Sequence, residues 1–568
     1  MDVIAGRKTS GRITGDILVN GHPQQFPAFR RRAGYAEQMD NHVGSQTVEE
    51  SIAFSAALRL PRHVSAGARA TFVREILDDL ELTAIAHRQV GDINIPGLSP
   101  SELKRVSLGV EIAANPQVLF LDEPTSGLDS RAALIVMRVI RKIASRGRAV
   151  VCTIHQPSAE LFNCFDRLLL LKSGGRVVYF GDLGEDGEEL IEYFTETAPV
   201  KQISEKYQQP EAPEGRNPAD WMLEVIGAGT HVDPSVIAPY DEVYSISSLH
   251  ATNLVELERL CVPSLQRPSA QPGFETAFAS SAATQLAVVV RRLFVHYWRD
   301  LSYYGIKLQS LFLLGLLLGL VYRGIDDRDE AGLLSKMAVM NLCCGFVGLI
   351  HCFAALPVIL RLRDTFYREQ ASQTYAAWVH AVGLALVEIP FVFLSMCLFL
   401  LPFYWLIGFV ADAQLFFRFL LVVFLMALLF SYLGHCLASA LPNMALAATV
   451  QGAVVSIFFL FAGVYIRREN MPRGWAWMYY VDPIPKGFVA LGIQQFDCTD
   501  DVAAGVICPR IDSVQYGANI TQWEFVSHYL SSGGGAWEGR YLGWIVCSIA
   551  VIFIAALTVI TKVSHVKR

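Results

Sequence analysis

Six long apolar segments in the second half of this 568-residue chain constrain its fold more than any other feature. They lie at about residues 302–322, 334–356, 376–409, 415–433, 444–464 and 541–560. Each reaches the roughly 20 residues that an α-helix needs to cross a bilayer. The hydrophobic content of 52% and the mean hydropathy of +0.35 are also high for a soluble protein. The sequence therefore predicts an all-α, six-helix transmembrane domain over residues 301–568.

Basic side chains predict the orientation of these spans, because lysine and arginine concentrate on the cytoplasmic side. They occur in the connection after the second span and again after the sixth span: Arg361, Arg363, Arg368, Lys562, Lys567 and Arg568. We therefore expect both ends of the membrane domain to be cytoplasmic. The plasma membrane is the expected location, although the sequence does not identify the membrane. Residues 281–300 are amphipathic and are predicted to form an interfacial connecting helix.

The fifth connection, residues 465–540, then lies outside the cell. It contains Cys498, Cys508 and the sequon that begins at Asn519. An extracellular position permits a disulfide between the two cysteines and glycosylation of the asparagine. The stretch "RRENMPRGWAWMYYVDPIPKGF" in this connection favours short re-entrant or interface-lying pieces.

Glu388 is the conspicuous charged residue inside a predicted span. A buried charge in a bilayer needs a partner or contact with water. Two interpretations remain open: Glu388 lies on a substrate path, or it makes a structural bond near the cytoplasmic end, where Pro390 frees backbone carbonyls. Separately, the "FYREQ" turn at residues 366–370 is predicted to receive motion from the first half of the chain.

The first half alternates short apolar runs with helical patterns, which is typical of an α/β domain. "PQVLFLD" and "RAVVCTIH" are continuously apolar, as expected of strands covered on both faces. Each ends in polar residues, and ligands bind at the carboxyl edges of such sheets. The domain is predicted over 1–196, followed by a polar linker over 197–280.

Several candidate residues lie at these strand ends. Asp122 and Glu123 follow the strand in "PQVLFLD". In this position Asp122 suits a magnesium ligand, and Glu123 suits a group that polarises the water attacking a γ-phosphate. His155 closes the next strand and is placed to contact a γ-phosphate. Gln38 follows a third strand, where its amide suits both the metal and the water. Each of these residues alone is more often structural.

Two turns complete the set. Ser99 and Ser101 open a predicted helix in "GLSPSELKRVSLGVEIAANP", and the free N–H groups of a helix start suit a phosphate. A plain helix cap is the alternative. Asp129 closes the turn "PTSGLDS" after the two acids.

In this order and spacing, the motifs resemble the nucleotide-binding domain of ABC transporters, a P-loop NTPase-type α/β fold. "LDEPTSGLDSRAA" and "RNPADWMLEV" are similar, more narrowly, to the second half of the pleiotropic-drug-resistance group in the G subfamily. The resemblance implies ATP and Mg²⁺ as cofactors. It also implies family roles for the motifs: Q-loop Gln38, signature Leu98–Glu102, Walker B Asp122–Glu123, D-loop Ser126–Asp129 and switch histidine His155.

Two departures from the family pattern matter. No GxxxxGK[ST] phosphate loop occurs, and the chain begins "MDVIAGRKT", which resembles the family sequence just after that loop. We expect a fragment or a mis-started reading frame, with loss of nucleotide turnover as the alternative, and we expect the Walker B strand to lack a neighbour. The signature reads "LSPSE", where Pro100 removes a donor and Glu102 adds repulsion. The resemblance implies one degenerate and one competent ATP site.

A net charge of −6 without a long basic run argues against nucleic acid as a partner. The leading hypothesis is half of an ATP-driven exporter of lipid-like or amphipathic hydrophobic compounds, paired with a second nucleotide-binding and transmembrane half. The rival hypothesis is a non-hydrolysing truncated paralogue that pairs with or regulates a complete transporter. A soluble ATPase with an anchor is disfavoured because one span would suffice as an anchor.

Overall fold

The computed structural model describes residues 1–8, 10–92, 95–196, 215–227, 239–262, 277–326, 328–498, 509–513, 517–530 and 538–565. Two compact units divide the chain. The first takes in Met1–Ser280 and Ala371–Thr374, and the second takes in Ser281–Gln370 and the chain from Tyr375 onward. An α/β unit therefore precedes a helical unit, as predicted.

Seven strands and ten helices are described in the first unit. The strands are β1 Leu18–Val19, β2 His22–Pro23, β3 Ala33–Ala36, β4 Val118–Leu121, β5 Ala149–Cys152, β6 Arg167–Lys172 and β7 Arg176–Asp182. The helices are α1 Phe26–Arg32, α2 Val48–Arg59, α3 Ala66–Asp79, α4 Pro100–Ile112, α5 Ser130–Ser145, α6 Ala159–Phe162, α7 Glu188–Glu196, α8 Pro218–Val225, α9 Tyr240–Ile246 and α10 Ser248–Cys261.

A parallel sheet in the order β3-β4-β5 is the centre of this unit. Strand β4 pairs on both sides, and its residues Leu119, Phe120 and Leu121 are at most 2% exposed. The expectation that the Walker B strand lacks a neighbour is therefore wrong. Strand β5 differs from its prediction as well: it pairs only with β4 among the described residues, and Val151 is 44% exposed. An apolar run indicates a strand, but burial of both faces depends on which strands flank it.

The described parts of the stretch 197–280, predicted as a linker, contribute helices α8, α9 and α10 to the first unit. Trp221, Tyr240 and Val243 are buried and join Tyr193 and Phe194 in one apolar cluster. This segment is therefore folded where it is described. The domain boundaries themselves stay a prediction.

The second unit is helical apart from one hairpin in its described parts. Its helices are α11 Ala282–Arg299, α12 Leu301–Val321, α13 Glu330–Ala371, α14 Ala377–Ile407, α15 Ala413–Ala440, α16 Met444–Phe461, α17 Ala476–Val481, α18 Pro483–Phe496, α19 Gln522–Leu530 and α20 Glu538–Lys562. Strands β8 Arg510–Ser513 and β9 Gly517–Thr521 form the antiparallel hairpin.

Six helices of the described chain are long and apolar enough to cross a membrane: α12, α13, α14, α15, α16 and α20. These match the six predicted spans. Residues 281–300, predicted as a connecting helix, form α11. Short helices α17 and α18 follow α16, and every residue of α18 is buried, which agrees with a re-entrant piece.

Helix α13 differs most from its prediction. It runs without interruption for 42 residues, so Arg361, Arg363 and Arg368 lie in a helix and not in a connection. The "FYREQ" segment, residues 366–370, is its last part and is not a turn. At 1.5 Å per residue the helix is about 63 Å long, roughly twice the hydrocarbon thickness of a bilayer. Hydropathy detected only the apolar part of this helix, because the helix continues beyond the apolar region.

Candidate functional site

Asp122 lies directly after β4, between two hydroxyl groups supplied by the neighbouring strands. Thr153, just after β5, donates to Oδ1 of Asp122 at 2.7 Å. The Tyr35 hydroxyl of β3 donates to Asp2 at 2.6 Å and lies 3.3 Å from Oδ2 of Asp122. Burial and the nearby carboxylates raise the pKa of Tyr35 well above its usual value, so the ring hydroxyl stays a donor. Three parallel strands therefore hold one carboxylate at their common edge.

Glu123 has a backbone φ of 47°, which is uncommon for a residue other than glycine. Its N–H donates to Thr153 Oγ1 at 3.0 Å, which holds the backbone in this conformation. The side chain accepts a 2.7 Å hydrogen bond from the Gln38 amide. Backbone strain of this kind concentrates at functional sites. In this conformation the Glu123 side chain reaches the loop after β3. Gln38, Glu123, Thr153 and Asp122 are therefore linked by hydrogen bonds into one group.

Asp129 follows β4 in the chain and His155 follows β5. In the described residues, neither is hydrogen-bonded to Gln38, Asp122 or Glu123. His155 lies three residues beyond β5 and is exposed. Asp129 caps α5, with Oδ1 accepting from Ala132 N at 2.7 Å. Gly127, at φ 73°, permits the turn between the acids and this helix. The capping role of Asp129 is established by these contacts, and its role toward nucleotide stays a prediction.

Ser99 and Glu102 form a capping box at the start of α4. The serine hydroxyl donates to Glu102 Oε2 at 2.9 Å, and the Ser99 N–H donates to the same oxygen at 2.8 Å. Burial opposes ionisation of Glu102, but the bonds from Ser99 together with Arg88 and Arg105 hold its pKa below its usual range. The serine hydroxyl and the carboxylate are therefore engaged with each other. Ser101, in the first turn, is partly exposed.

Sequence reasoning missed Lys104, Thr153 and Tyr35. Lys104 is 3% exposed, and its ammonium group donates to the Gln38 carbonyl at 2.9 Å and lies 3.2 Å from Asp40. It thus connects α4 to the loop that carries Gln38. No local signal marks a buried lysine, because its burial depends on partners about 65 residues away in the chain. Thr153 had a weak signal, since it stands two residues before His155 at a strand end.

The residues present suit the metal part of a magnesium–nucleotide site. Asp122 and Gln38 offer oxygen ligands, and Mg²⁺ is usually bound by one or two carboxylates completed by phosphate oxygens and water. No group of three or more His, Cys, Asp or Glu side chains that could hold a metal by itself occurs in the described part of the chain. The fit therefore requires a nucleotide, and the chain has no GxxxxGK[ST] sequence to supply a phosphate nest.

Glu388 in the second unit is fully buried and has partners on two other helices. Lys307 of α12 donates to it at 3.1 Å, and Ser431 of α15 donates at 3.2 Å. His435 lies 3.9 Å from its other carboxylate oxygen. These contacts match the interpretation of Glu388 as a structural partner, although the main partner is a lysine and not a carbonyl freed by Pro390.

The predicted modifications lie in the fifth connection, residues 465–540. Cys498 is disulfide-bonded, whereas Cys508 lies outside the described residues. Asn519 is exposed on β9, and its N–H donates to Asp512 at 2.8 Å. Glycosylation of Asn519 stays a prediction that its exposure permits.

Comparison with known proteins agrees with both units. The family model "ABC transporter" matches residues 1–126, and the model "ABC-2 type transporter" matches residues 284–496. ABC transporter G family member 36 of Arabidopsis thaliana is 36% identical over 498 residues, which cover 87% of this chain and 33% of that protein. Pleiotropic drug resistance protein 1 of Petunia hybrida is 35% identical over 559 residues, which cover 98% of this chain and 36% of that protein.

The chain therefore spans about a third of the length of the curated relatives that it matches. Their names and the two family models agree on a membrane transporter with an ATP-binding cassette. With six apolar helices and an ABC-2 membrane domain, the protein is an integral, multi-pass membrane protein. It belongs to the ABC transporters and is similar to their G-family, pleiotropic-drug-resistance members.

Proposed function

We propose that this chain is one half of an ATP-driven exporter of lipid-like or amphipathic hydrophobic compounds. The observation that carries the proposal is the bonded group Gln38–Glu123 with Asp122 and Thr153, in a chain that continues into six apolar helices. A carboxylate network at a sheet edge suits ATP turnover, and six spans suit a path across the bilayer. The cargo class rests on the resemblance to the pleiotropic-drug-resistance group.

Each side chain of the group has a proposed role. Bound Mg²⁺-ATP supplies the phosphoryl group whose transfer to water releases the free energy for transport. Asp122 and Gln38 hold the metal. Glu123 orients and polarises the attacking water, and Thr153 keeps both acids in position. His155 contacts the γ-phosphate from the loop after β5.

Completion of the site requires partners that we propose from two observations. Strand β5 pairs only with β4 among the described residues, and an unpaired strand edge favours the addition of another strand. A strand that carries a phosphate-binding loop would cover this edge. The capping box engages Ser99 and Glu102 with each other, which supports a signature motif that contacts ATP poorly. A second nucleotide-binding half would therefore supply the signature motif of the competent ATP site. This second half belongs to the same polypeptide or to a dimer partner.

The glutamine substitution at Glu123 tests the proposal. In the complete transporter that contains this chain, Glu123→Gln is expected to lower ATP turnover by at least a hundredfold, because glutamine cannot accept a proton from water. ATP binding should persist within a few fold. Turnover is measured as phosphate release and binding with a fluorescent nucleotide. Glu160→Gln, at an exposed glutamate in the same unit, is the matched control and should leave both unchanged.

Unchanged turnover in Glu123→Gln would remove Glu123 from the catalytic role. The alternative proposal, a non-hydrolysing paralogue that pairs with or regulates a complete transporter, is favoured by the engaged Ser99. It differs from the first proposal in needing no GxxxxGK[ST] sequence. It predicts no ATP binding to this half in the assembled protein. Reading the genomic frame upstream of Met1 for that motif separates the two proposals.

We also propose that the nucleotide-binding unit is cytoplasmic and that the protein resides in the plasma membrane. Access to ATP requires the first location. The basic residues on the last part of α13 and at the end of α20 support it.

A further inference from the structure

A shallow, open cleft lies at one end of the second unit, between helices α13, α14, α15 and the end of α20. One part of its lining is polar and the other is apolar. Arg363, His380 and Ser439 form the polar part. Such a pairing of polar and apolar walls fits an amphipathic ligand better than it fits water alone.

Arg363 is held in place at the polar part of the cleft. Its two terminal nitrogens donate to the carbonyls of Leu441 at 2.8 Å and Pro442 at 2.6 Å, just beyond the end of α15. A guanidinium has five N–H donors, so these bonds leave donors for a ligand. A fixed guanidinium is well suited to phosphate, which it binds in a bidentate manner.

His380 adds a buried polar atom without a partner. The residue is 5% exposed, its ring stacks on Phe366 at 4.5 Å, and its Nδ1 has no hydrogen-bond partner among the described residues. An unpaired buried nitrogen costs free energy unless a ligand or water pairs with it. The histidine therefore adds one buried, unpaired polar atom to the polar part of the cleft.

The apolar wall continues onto a surface that faces outward. Ile560 and Val563, at the end of α20, line the cleft opposite Leu384. Only 17% of the apolar window of α20 is buried within the unit, and Val551 and Ile554 on the same helix are exposed. An acyl chain leaving the cleft along α20 would stay in contact with apolar side chains.

The cleft also lies at the ends of two apolar helices. Ser439 is in the last turn of α15 and Val563 directly follows α20, so we infer that the cleft is near the lipid headgroups. Exposed Lys562 follows the last apolar turn. Basic pockets between helices at this level bind anionic headgroups.

We propose that this cleft binds one resident anionic phospholipid from the adjacent leaflet, with its phosphate on Arg363 and one acyl chain along α20. The lipid is a structural ligand and not the cargo. The assignment does not depend on ATP turnover, so its test is independent of the proposed exporter function.

Native mass spectrometry of the full chain, extracted in mild detergent and exchanged with defined lipid, tests the proposal. One phosphatidylserine should remain bound, with at least fivefold less retention of phosphatidylcholine. Arg363→Gln should lower phosphatidylserine retention about tenfold, because it removes a charged hydrogen-bond donor set. Val563→Trp narrows the mouth of the cleft while leaving Arg363 in place, and it should lower retention similarly. Arg323→Gln, at an exposed arginine after α12 that does not line the cleft, is the control and should retain the lipid.

Arg363→Gln also removes the bonds to Leu441 and Pro442, so its folding is checked by circular dichroism and size exclusion. If it misfolds, Val563→Trp still decides the question. Equal retention of both lipids, or wild-type retention in Val563→Trp, would overturn the proposal. Displacement of the lipid by equimolar glycerophosphoserine would show a site for the free headgroup only, and release on addition of Mg²⁺-ATP would show cargo. Either result would also overturn it.

Discussion

At the residue scale, the candidate site contains one residue with an uncommon backbone conformation that neighbouring side chains hold in place. Glu123 adopts a positive φ and is held by Thr153 and Gln38, which come from the two flanking loops. The sequence indicated Asp122, Glu123 and Gln38, because acids and amides at strand ends form a recognisable pattern. It did not indicate Thr153, because threonine after a strand is common and its role depends on the sheet order.

Asp482 supports a prediction of pH dependence at the same scale. It caps α18 by accepting from Ile484 N at 2.9 Å, while its Oδ2 is buried without a hydrogen-bond partner in the described chain. Burial raises the pKa of Asp482 to about 8, despite the cap bond and the nearby Lys486. The protonated form therefore stabilises the fold below the ordinary carboxyl pKa, and this stability is lost as the pH rises through 8.

The melting temperature of the detergent-solubilised protein should therefore fall by on the order of 5 °C between about pH 5 and pH 8. Burial lowers the pKa of Lys486 to about 8, so its contribution changes only above this window. Asp482→Asn keeps a capping oxygen and should abolish the fall. Asp412→Asn, at an exposed cap of α15 that accepts from Leu415 N at 2.9 Å, should keep the fall. Parallel curves for wild type and Asp482→Asn would contradict the prediction.

At the scale of elements, close packing of α12 against α14 depends on two glycines. A Cβ at Gly315 would lie 2.2 Å from the Phe399 carbonyl oxygen, and one at Gly319 would lie 3.0 Å from the Pro402 carbonyl oxygen. Small residues four apart permit such backbone contact in membranes. Gly315→Ala should lower stability by about 1–3 kcal/mol through overpacking, measured as a lower melting temperature.

Gly305→Ala on the same helix is the matched control. Its Cβ would meet only Leu301, at 3.9 Å, so stability should be unchanged or slightly higher because alanine favours helix. Equal losses in both variants would show that helix propensity, and not the contact with Phe399, controls the effect.

The elements that the sequence predicted well are those whose signal is local. The six spans and strands β3, β4 and β5 follow from apolar runs. The exposure of β5 and the buried position of Lys104 were not predicted, because both depend on contacts between distant parts of the chain. The continuation of α13 was missed for another reason. Polar residues form helices as readily as apolar ones, and a hydropathy profile does not detect helical segments made of polar residues.

At the scale of the whole molecule, the orientation of the spans can be tested through Asn519. If residues 465–540 are extracellular, the exposed asparagine on β9 should be glycosylated in a eukaryotic host. PNGase F should then increase the gel mobility of the wild type and leave Asn519→Gln unchanged. A wild type that is insensitive to the enzyme, with Asn519→Gln migrating identically, would contradict the predicted topology.

The length of α13 has a mechanical consequence because Pro357 interrupts its hydrogen-bond ladder. The proline divides the helix into an apolar arm of about 40 Å and a basic arm of about 20 Å. A proline in a helix interior favours a kink at its position, so a bend of about 10° at Pro357 would displace the tip of the shorter arm by about 4 Å. Such a bend would couple movement of the arginine-bearing arm to the tilt of the apolar arm.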